Sequence, residues 1–295
     1  MHTWPDCAPC ILRMNLETIR SIVDDDDRAV ELMDAVVRVF GESWADEGAY
    51  KPPEIVAFIW RELVRITGDA DPMRAVKDQQ NSLALSLLPA ARELVAAAPD
   101  PFLAAVKLAA AGNVLDVMVS LDETPGPALL ERLADRWVDE SQVDVFRERL
   151  AQAHSVLYFL DNCGEIVFDR LLLEVVRGIL PGGGPQITVV ARQLPALNDA
   201  TVADALAVGL GEVASVVGNG IPESLPGTDL GMLSEEVRAL LDDADLVVSK
   251  GGANFEMLEG EAELHGRVTF LLLGKCIPLC STLAVPRNGL AVHNI

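Results

Sequence analysis

Residues 155–160, SVLYFL, form an unbroken apolar run with the length and bulk of a buried strand. DNCGE follows, and IVFDRLLLEVV then repeats apolar positions at helical spacing. Asp161 and Asn162 therefore stand where a strand ends and a turn leads into a helix. In open parallel sheets that edge is where ligands bind. An anionic oxygen followed by an amide oxygen, held on a rigid strand end, suits a hard divalent cation. The same pair also suits a plain turn and helix cap, so the rest of the chain has to decide between the two.

From about residue 151 the pattern alternates. Strands are expected at 155–160, 187–191, 214–217, 245–249 and 268–273, and helices at 165–179, 200–208, 234–242 and 254–258. Such alternation implies a doubly wound parallel sheet with helices on both faces. Residues 1–150 read as almost all helix, with segments at 28–41, 53–67, one after Asp71–Pro72 and one at 102–120. The expected architecture is α/β, with a helical domain at 1–150 and an α/β domain carrying the site at 151–295.

Two more strand ends carry polar chemistry. LNDAT follows the second strand and adds Asp199 to the edge that holds Asp161. As a plain helix start, Asn198 or Asp199 would simply cap. Two carboxylates and an amide make an incomplete oxygen shell, which waters and a substrate oxygen would complete around magnesium. The fourth strand ends in SKGGANFEML, with Lys250 ahead of Gly251 and Gly252. A cation beside glycine N–H groups suits an anion. It is not a Walker loop, and no GxGxxG follows the first strand, which disfavours a dinucleotide site. Lys275 lies near the end of the fifth strand. The four histidines, at 2, 154, 265 and 293, fall outside these motifs. Metal-assisted phosphoryl chemistry fits this edge better than histidine catalysis.

The helical half offers weaker signals. Cys7 and Cys10 form CAPC just ahead of a helical pattern. Buried thiols, half of a soft metal site and a redox pair are all open readings. The DDDD run at 24–27 is expected to cap and solvate a helix boundary. Lys77 and Asn81 share a helix face at i, i+4, and Asn113 and Asp116 share one at i, i+3. Polar groups within the apolar 102–120 segment need internal partners or a cleft.

The formal net charge of −22 opposes nucleic-acid binding. No window approaches the ~18 apolar residues of a membrane span, and no signal peptide is evident. A cytoplasmic protein with no membrane partner is expected. Five cysteines argue against a disulfide framework. Oligomeric state is not legible.

Taken in order, CAPC, DPMRAVKDQQN, AAAGNVLD, DNCGEIVFD, LNDAT, SKGGANFEML and GKCIPL resemble the domain-of-unknown-function-89 family. That family is also described as the damage-control phosphatases, or acidic-residue-methyltransferase-like domain. The amino-terminal CxxC is similar to that of its microbial subgroup. The resemblance implies a helical domain packed on a Rossmann-like domain, with the active site in the cleft between them. It implies a divalent metal, magnesium, manganese, cobalt or nickel, held by Asp161, Asn162 and Asp199. It implies that Lys250 contacts substrate phosphate with Asn254 and Glu256 nearby, and that Lys77, Asn81, Asn113 and Asp116 line the cleft. Three positions depart from the family pattern. Cys163 replaces the usual Ala, KGGAN replaces KGQGN, and Met73 replaces the aromatic of DPY.

The function expected is a metal-dependent phosphatase acting on small phosphorylated metabolites such as sugar phosphates, with Asp161 and Lys250 as catalytic residues. Asp161 could serve as metal ligand or as nucleophile. The alternatives are an S-adenosylmethionine-dependent carboxyl methyltransferase and a non-enzymatic metal- or metabolite-binding module. The first lacks the usual glycine-rich donor loop after the first strand.

Overall fold

The structure is a computed structural model that describes residues 1–45, 50–112, 127–180, 182 and 184–295. Seven described helices precede the sheet: α1 (Cys7–Ile22), α2 (Asp26–Trp44), α3 (Pro52–Thr67), α4 (Arg74–Ala97), α5 (Pro101–Ala111), α6 (Pro127–Ala134) and α7 (Glu140–Gln152). Their ends follow local chemistry. Within DDDD, Asp25 caps α2 by accepting from the Arg28 N–H at 2.8 Å. Asp100 caps α5 ahead of Pro101. Gly68, at φ +70°, closes α3. The segment expected at 102–120 is helical through Ala111, and the expected site residues Asn113 and Asp116 lie outside the described residues.

The second half builds β1 (Ser155–Phe159), α8 (Glu165–Ile179), β2 (Gln186–Ala191), α9 (Val202–Ala207), β3 (Ser215–Gly218), α10 (Glu235–Asp243), β4 (Leu246–Lys250), α11 (Gly252–Leu258), β5 (Val268–Leu273), α12 (Ile277–Leu283) and β6 (Leu290–Asn294). The sheet order is β3-β2-β1-β4-β5-β6. The first five strands are parallel, and β6 runs antiparallel to β5. The sequence reading omitted β6. Its five residues, LAVHN, include a His and an Asn, and they are held by the ladder to β5 rather than by a strong pattern of their own. The chain moves outward from β1 in one direction and from β4 in the other, so the topological switch point lies between β1 and β4.

Alternate residues of each strand enter different cores, as a two-residue period requires. Val156, Tyr158 and Leu160 pack with α4, α5, α6, α7 and α8 on one face. Leu157 and Phe159 pack with α10, α11 and α12 on the other. α5 therefore shares the sheet's own core. Helices α1 to α3 form a third cluster, which also takes in Met73 and Leu197. Leu197 belongs to the loop that carries Asp199, and the Trp60 indole N–H of α3 donates to the Pro195 carbonyl at 3.2 Å. The first three helices thus brace that loop.

Candidate active site

The three polar strand ends converge at the switch point. Backbone hydrogen bonds stitch the loops after β1 and β2 together. Ala200 N–H donates to the Asp161 carbonyl at 2.8 Å, Cys163 N–H to the Asn198 carbonyl at 2.9 Å, and Arg192 N–H to the Ala200 carbonyl at 2.9 Å. An isolated antiparallel bridge pairs Asn162 with Asp199. Asp161, Asn162 and Asp199 are all buried. The Asn162 side-chain amide donates to Asp161 Oδ2 at 2.9 Å.

Both turns that flank this cluster need glycine. Gly164 starts α8 at φ +79°, and its N–H donates to Asn81 Oδ1 at 2.7 Å. Gly251 follows β4 at φ +81°, hard against the Asp161 carboxylate.

Burial drives the Asp161 pKa well above the usual carboxylate range, and the neighbouring Asp199 and Glu165 add to the effect. Lys275 and Arg192 oppose it. Burial beside other acidic groups disfavours the charged carboxylate, and a nearby cation favours it.

Lys250 occupies a different place from the one expected. It is fully buried, and its ammonium donates to Glu165, to Asp169 Oδ1 at 2.6 Å and to the Ala109 carbonyl at 2.9 Å. Those three bonds use all three protons. Burial works against its charge, but Asp169 and Glu165 outweigh that and hold its pKa above the ordinary lysine value. Burial pushes Glu165 up to about 7, with Lys250 opposing. Tyr158 donates to Asp169 Oδ1 at 2.8 Å. Lys250 is therefore the counter-charge beneath the site, not a group at its mouth.

Several other expected contacts resolve in the same way. Lys77 is fully buried and pairs with Asp71 at 2.6 Å and Asp204 at 3.4 Å. Asp204 also closes the α9 capping box with Thr201, two residues beyond Asp199. Lys77 ties α4 to the Asp199 loop instead of lining a cleft. Asn81 is committed to the Gly164 turn. Asn254 is buried and holds two carbonyls, Leu160 at 2.9 Å and Lys250 at 2.8 Å. Glu256, half-buried on α11, is raised to about 7 by burial, with Lys275 opposing.

Two residues gain prominence. Lys275 is exposed, and its Cε would lie 3.8 Å from a Cβ placed on Gly252. It extends across the glycine turn into the field of Asp161. Arg192 is buried and its Nε donates to Asp199 Oδ2 at 2.6 Å. Sequence reasoning passed over it because ARQ after a strand has no motif. A positive residue just beyond β2 was the only available signal.

Cys7 and Cys10 share the first turn of α1, Cys7 buried and Cys10 exposed. Cys276 is half-buried, and burial pushes its thiol up to about 11. Among the described residues, no group of three or more His, Cys, Asp or Glu is arranged to hold a metal ion. The oxygens that converge at the switch point belong to two carboxylates and an amide, those of Asp161, Asp199 and Asn162. The buried charges suit a cation there. Asp161, Glu165, Asp169 and Asp199 stand against Lys250 and Arg192. With all of them ionised, two negative charges are left for one divalent cation.

A doubly wound sheet with an acidic, oxygen-rich edge at its switch point belongs to the class of α/β proteins that bind ligands at that edge, and the comparisons narrow it. Residues 3–290 match the damage-control phosphatase ARMT1-like domain. A damage-control phosphatase of Archaeoglobus fulgidus is 30% identical over 288 residues, covering 97% of this chain and 96% of the relative. A damage-control phosphatase of Pyrococcus horikoshii is 28% identical over 291 residues, covering 97% and 95%. The crystal structure of a DUF89 family protein from Pyrococcus horikoshii superposes with a TM-score of 0.84 at 25% identity, covering 100% of this chain and 99% of that one. The chain belongs to the damage-control phosphatase ARMT1-like domain family, and its activity is of the phosphatase class.

Proposed function

We propose that this phosphatase hydrolyses small phosphorylated metabolites, sugar phosphates among them, and requires a divalent cation such as magnesium, manganese, cobalt or nickel. The observation that carries the reading is the buried Asp161–Asp199 pair at the switch point, with the bridge from Asn162 to Asp199 holding the two loops together. Asp161, Asn162 and Asp199 would hold the cation. When bound, it supplies charge that polarises a phosphoryl oxygen and lowers the pKa of water.

The chain's own groups do the rest. Asn162 orients the Asp161 carboxylate through its amide N–H. Lys275, exposed beside the glycine turn, is placed to meet the phosphate and offset its charge. Lys250 acts from below by holding Glu165 and Asp169. In this reading residues 151–295 supply the floor of the site. Residues 1–150 wall it through Asn81 and brace the Asp199 loop through Lys77.

The test is phosphate release from a panel of sugar phosphates and nucleotides, after chelation and readdition of each metal. Release that needs metal and vanishes in Asp161→Ala and Asp199→Ala supports the reading. Metal-supported release surviving both changes would sink it.

A further inference from the structure

We propose that Arg192 is the positioning residue of this active site, fixing Asp199 so that one carboxylate oxygen is committed to protein and the other is left for the cation. The proposal rests on Asp199 being a cation ligand.

Arg192 is 3% exposed, and each guanidinium nitrogen donates within the protein. Nε reaches Asp199 Oδ2 at 2.6 Å, Nη1 reaches Thr228 Oγ1 at 2.9 Å, and Nη2 reaches Asn254 Oδ1 at 3.2 Å. The Thr228 hydroxyl in turn donates to Asn254 Oδ1 at 2.9 Å. Asn254 completes the circuit through the carbonyls of Leu160, just beyond β1, and Lys250, at the end of β4. The circuit thus joins the ends of β1, β2 and β4, the three strands that supply the site. A planar fork with several donors can hold this geometry, and a lysine ammonium in the same place cannot reproduce it.

The arrangement has a mechanistic consequence. A carboxylate whose Oδ2 is held by a guanidinium presents Oδ1 to a cation as its freer oxygen. Released, it is free to turn and offer both oxygens, which would occupy a coordination position that water or substrate needs. Loss of the guanidinium also removes a positive charge that repels the cation. Arg192 therefore favours turnover at the expense of cation affinity.

The experiment compares Arg192→Gln, Arg192→Lys and Thr228→Val in the full chain. Manganese titration by calorimetry, thermal unfolding, and phosphate-release kcat and KM at saturating manganese are measured for each. Arg192→Gln is expected to bind manganese as tightly as the parent or more tightly, while kcat falls at least about tenfold, the low end for loss of such an outer support. Arg192→Lys, which keeps the charge and one bond, should fall between the two. A merely structural role predicts the reverse pattern, with lower unfolding temperature, weaker manganese binding and kcat unchanged at saturation. That pattern overturns the proposal, as does a kcat within about twofold of the parent. If Arg192→Gln fails to fold, Thr228→Val removes one strut with little change of shape. It should lower kcat several-fold with manganese affinity unchanged, and an unaltered kcat overturns the proposal. Asp199→Asn separates the two layers. If it binds manganese like the parent, the ligand reading itself has failed. If it loses manganese while Arg192→Gln keeps its kcat, only the Arg192 proposal has.

Discussion

Asp161 and Gly251 meet so closely that a Cβ at position 251 would lie 1.8 Å from Asp161 Oδ2. The glycine also sits at φ +81°, where a side chain is strained regardless of space. Gly251→Ala must therefore displace the carboxylate or the strand end. Misplacement of about 1 Å at a reacting centre can cost 100-fold in rate. The expected outcome is a loss of that order in kcat, together with a fall in unfolding temperature. Phosphate-release kinetics and thermal unfolding of the variant check both.

Lys250 compensates Glu165 and Asp169 in a fully buried cluster. Lys250→Met leaves those carboxylates without their counter-charge. Breaking a buried pair in this way costs about 3–5 kcal/mol. Urea unfolding should show a loss of that size, while KM of the folded fraction stays close to the parent value. A large rise in KM with stability intact would instead give Lys250 direct contact with phosphate.

Lys275 is exposed beside the turn, so the opposite pattern is expected of it. A hydrogen bond to a charged group is worth about 1.5–3 kcal/mol. Lys275→Met should therefore raise KM by roughly 10- to 100-fold. The unfolding temperature should hardly move, because exposed substitutions stay within about 0.5 kcal/mol. Steady-state kinetics beside a melting curve test the split.

Lys77 is locked between Asp71 and Asp204, so its loss should act on stability first. Lys77→Met is expected to destabilise the chain by a few kcal/mol, as removal of one partner from a buried pair does. It should also weaken manganese binding through the Asp199 loop. A variant with parental stability and only a raised KM would return Lys77 to the cleft.

Glu256 gives a pH dependence of stability. Burial raises its folded pKa from 4.5 to about 7, with Lys275 opposing. A raised pKa means that the folded state holds the proton more tightly than the unfolded chain. Its contribution is therefore present in full below the unfolded value and is lost as pH rises from about 4.5 through 7. The shift sets an upper bound of roughly 3 kcal/mol, reduced because the residue is partly exposed. Glu256→Gln should flatten this part of the curve and stabilise the protein at pH 8 but not at pH 4. Urea unfolding at both values measures it.

The order of the elements was legible because each has a local cause. SVLYFL reads as a strand through its unbroken apolar content. The helix after DNCGE reads as one through its spacing, and Asp25 of the DDDD run caps a helix as expected, whereas the helix after LNDAT is capped by Thr201 and not by Asn198 or Asp199. β6 escaped because an edge strand of five residues depends on pairing with β5. Asp161, Asn162 and Asp199 could be nominated because a strand end followed by an oxygen donor is a local pattern. That these three are brought together depends on the bridge from Asn162 to Asp199, which joins residues far apart in the chain.

What the sequence determined by itself was therefore the five parallel strands and most of the helices, the edge at which the chemistry lies, and the acidic character of that edge. The tertiary structure decided what each cation does. Lys250, Lys77, Lys275 and Arg192 are all positive groups near polar motifs, and nothing local separates them. Burial and the partners brought in from distant segments separate them. Lys250 lies under Asp169 and Ala109, Lys77 between Asp71 and Asp204, Arg192 against Asp199, and Lys275 at the exposed surface beside Gly252. Charge is written into the residue type, but its use depends on desolvation and on neighbours, and both exist only once the chain has folded.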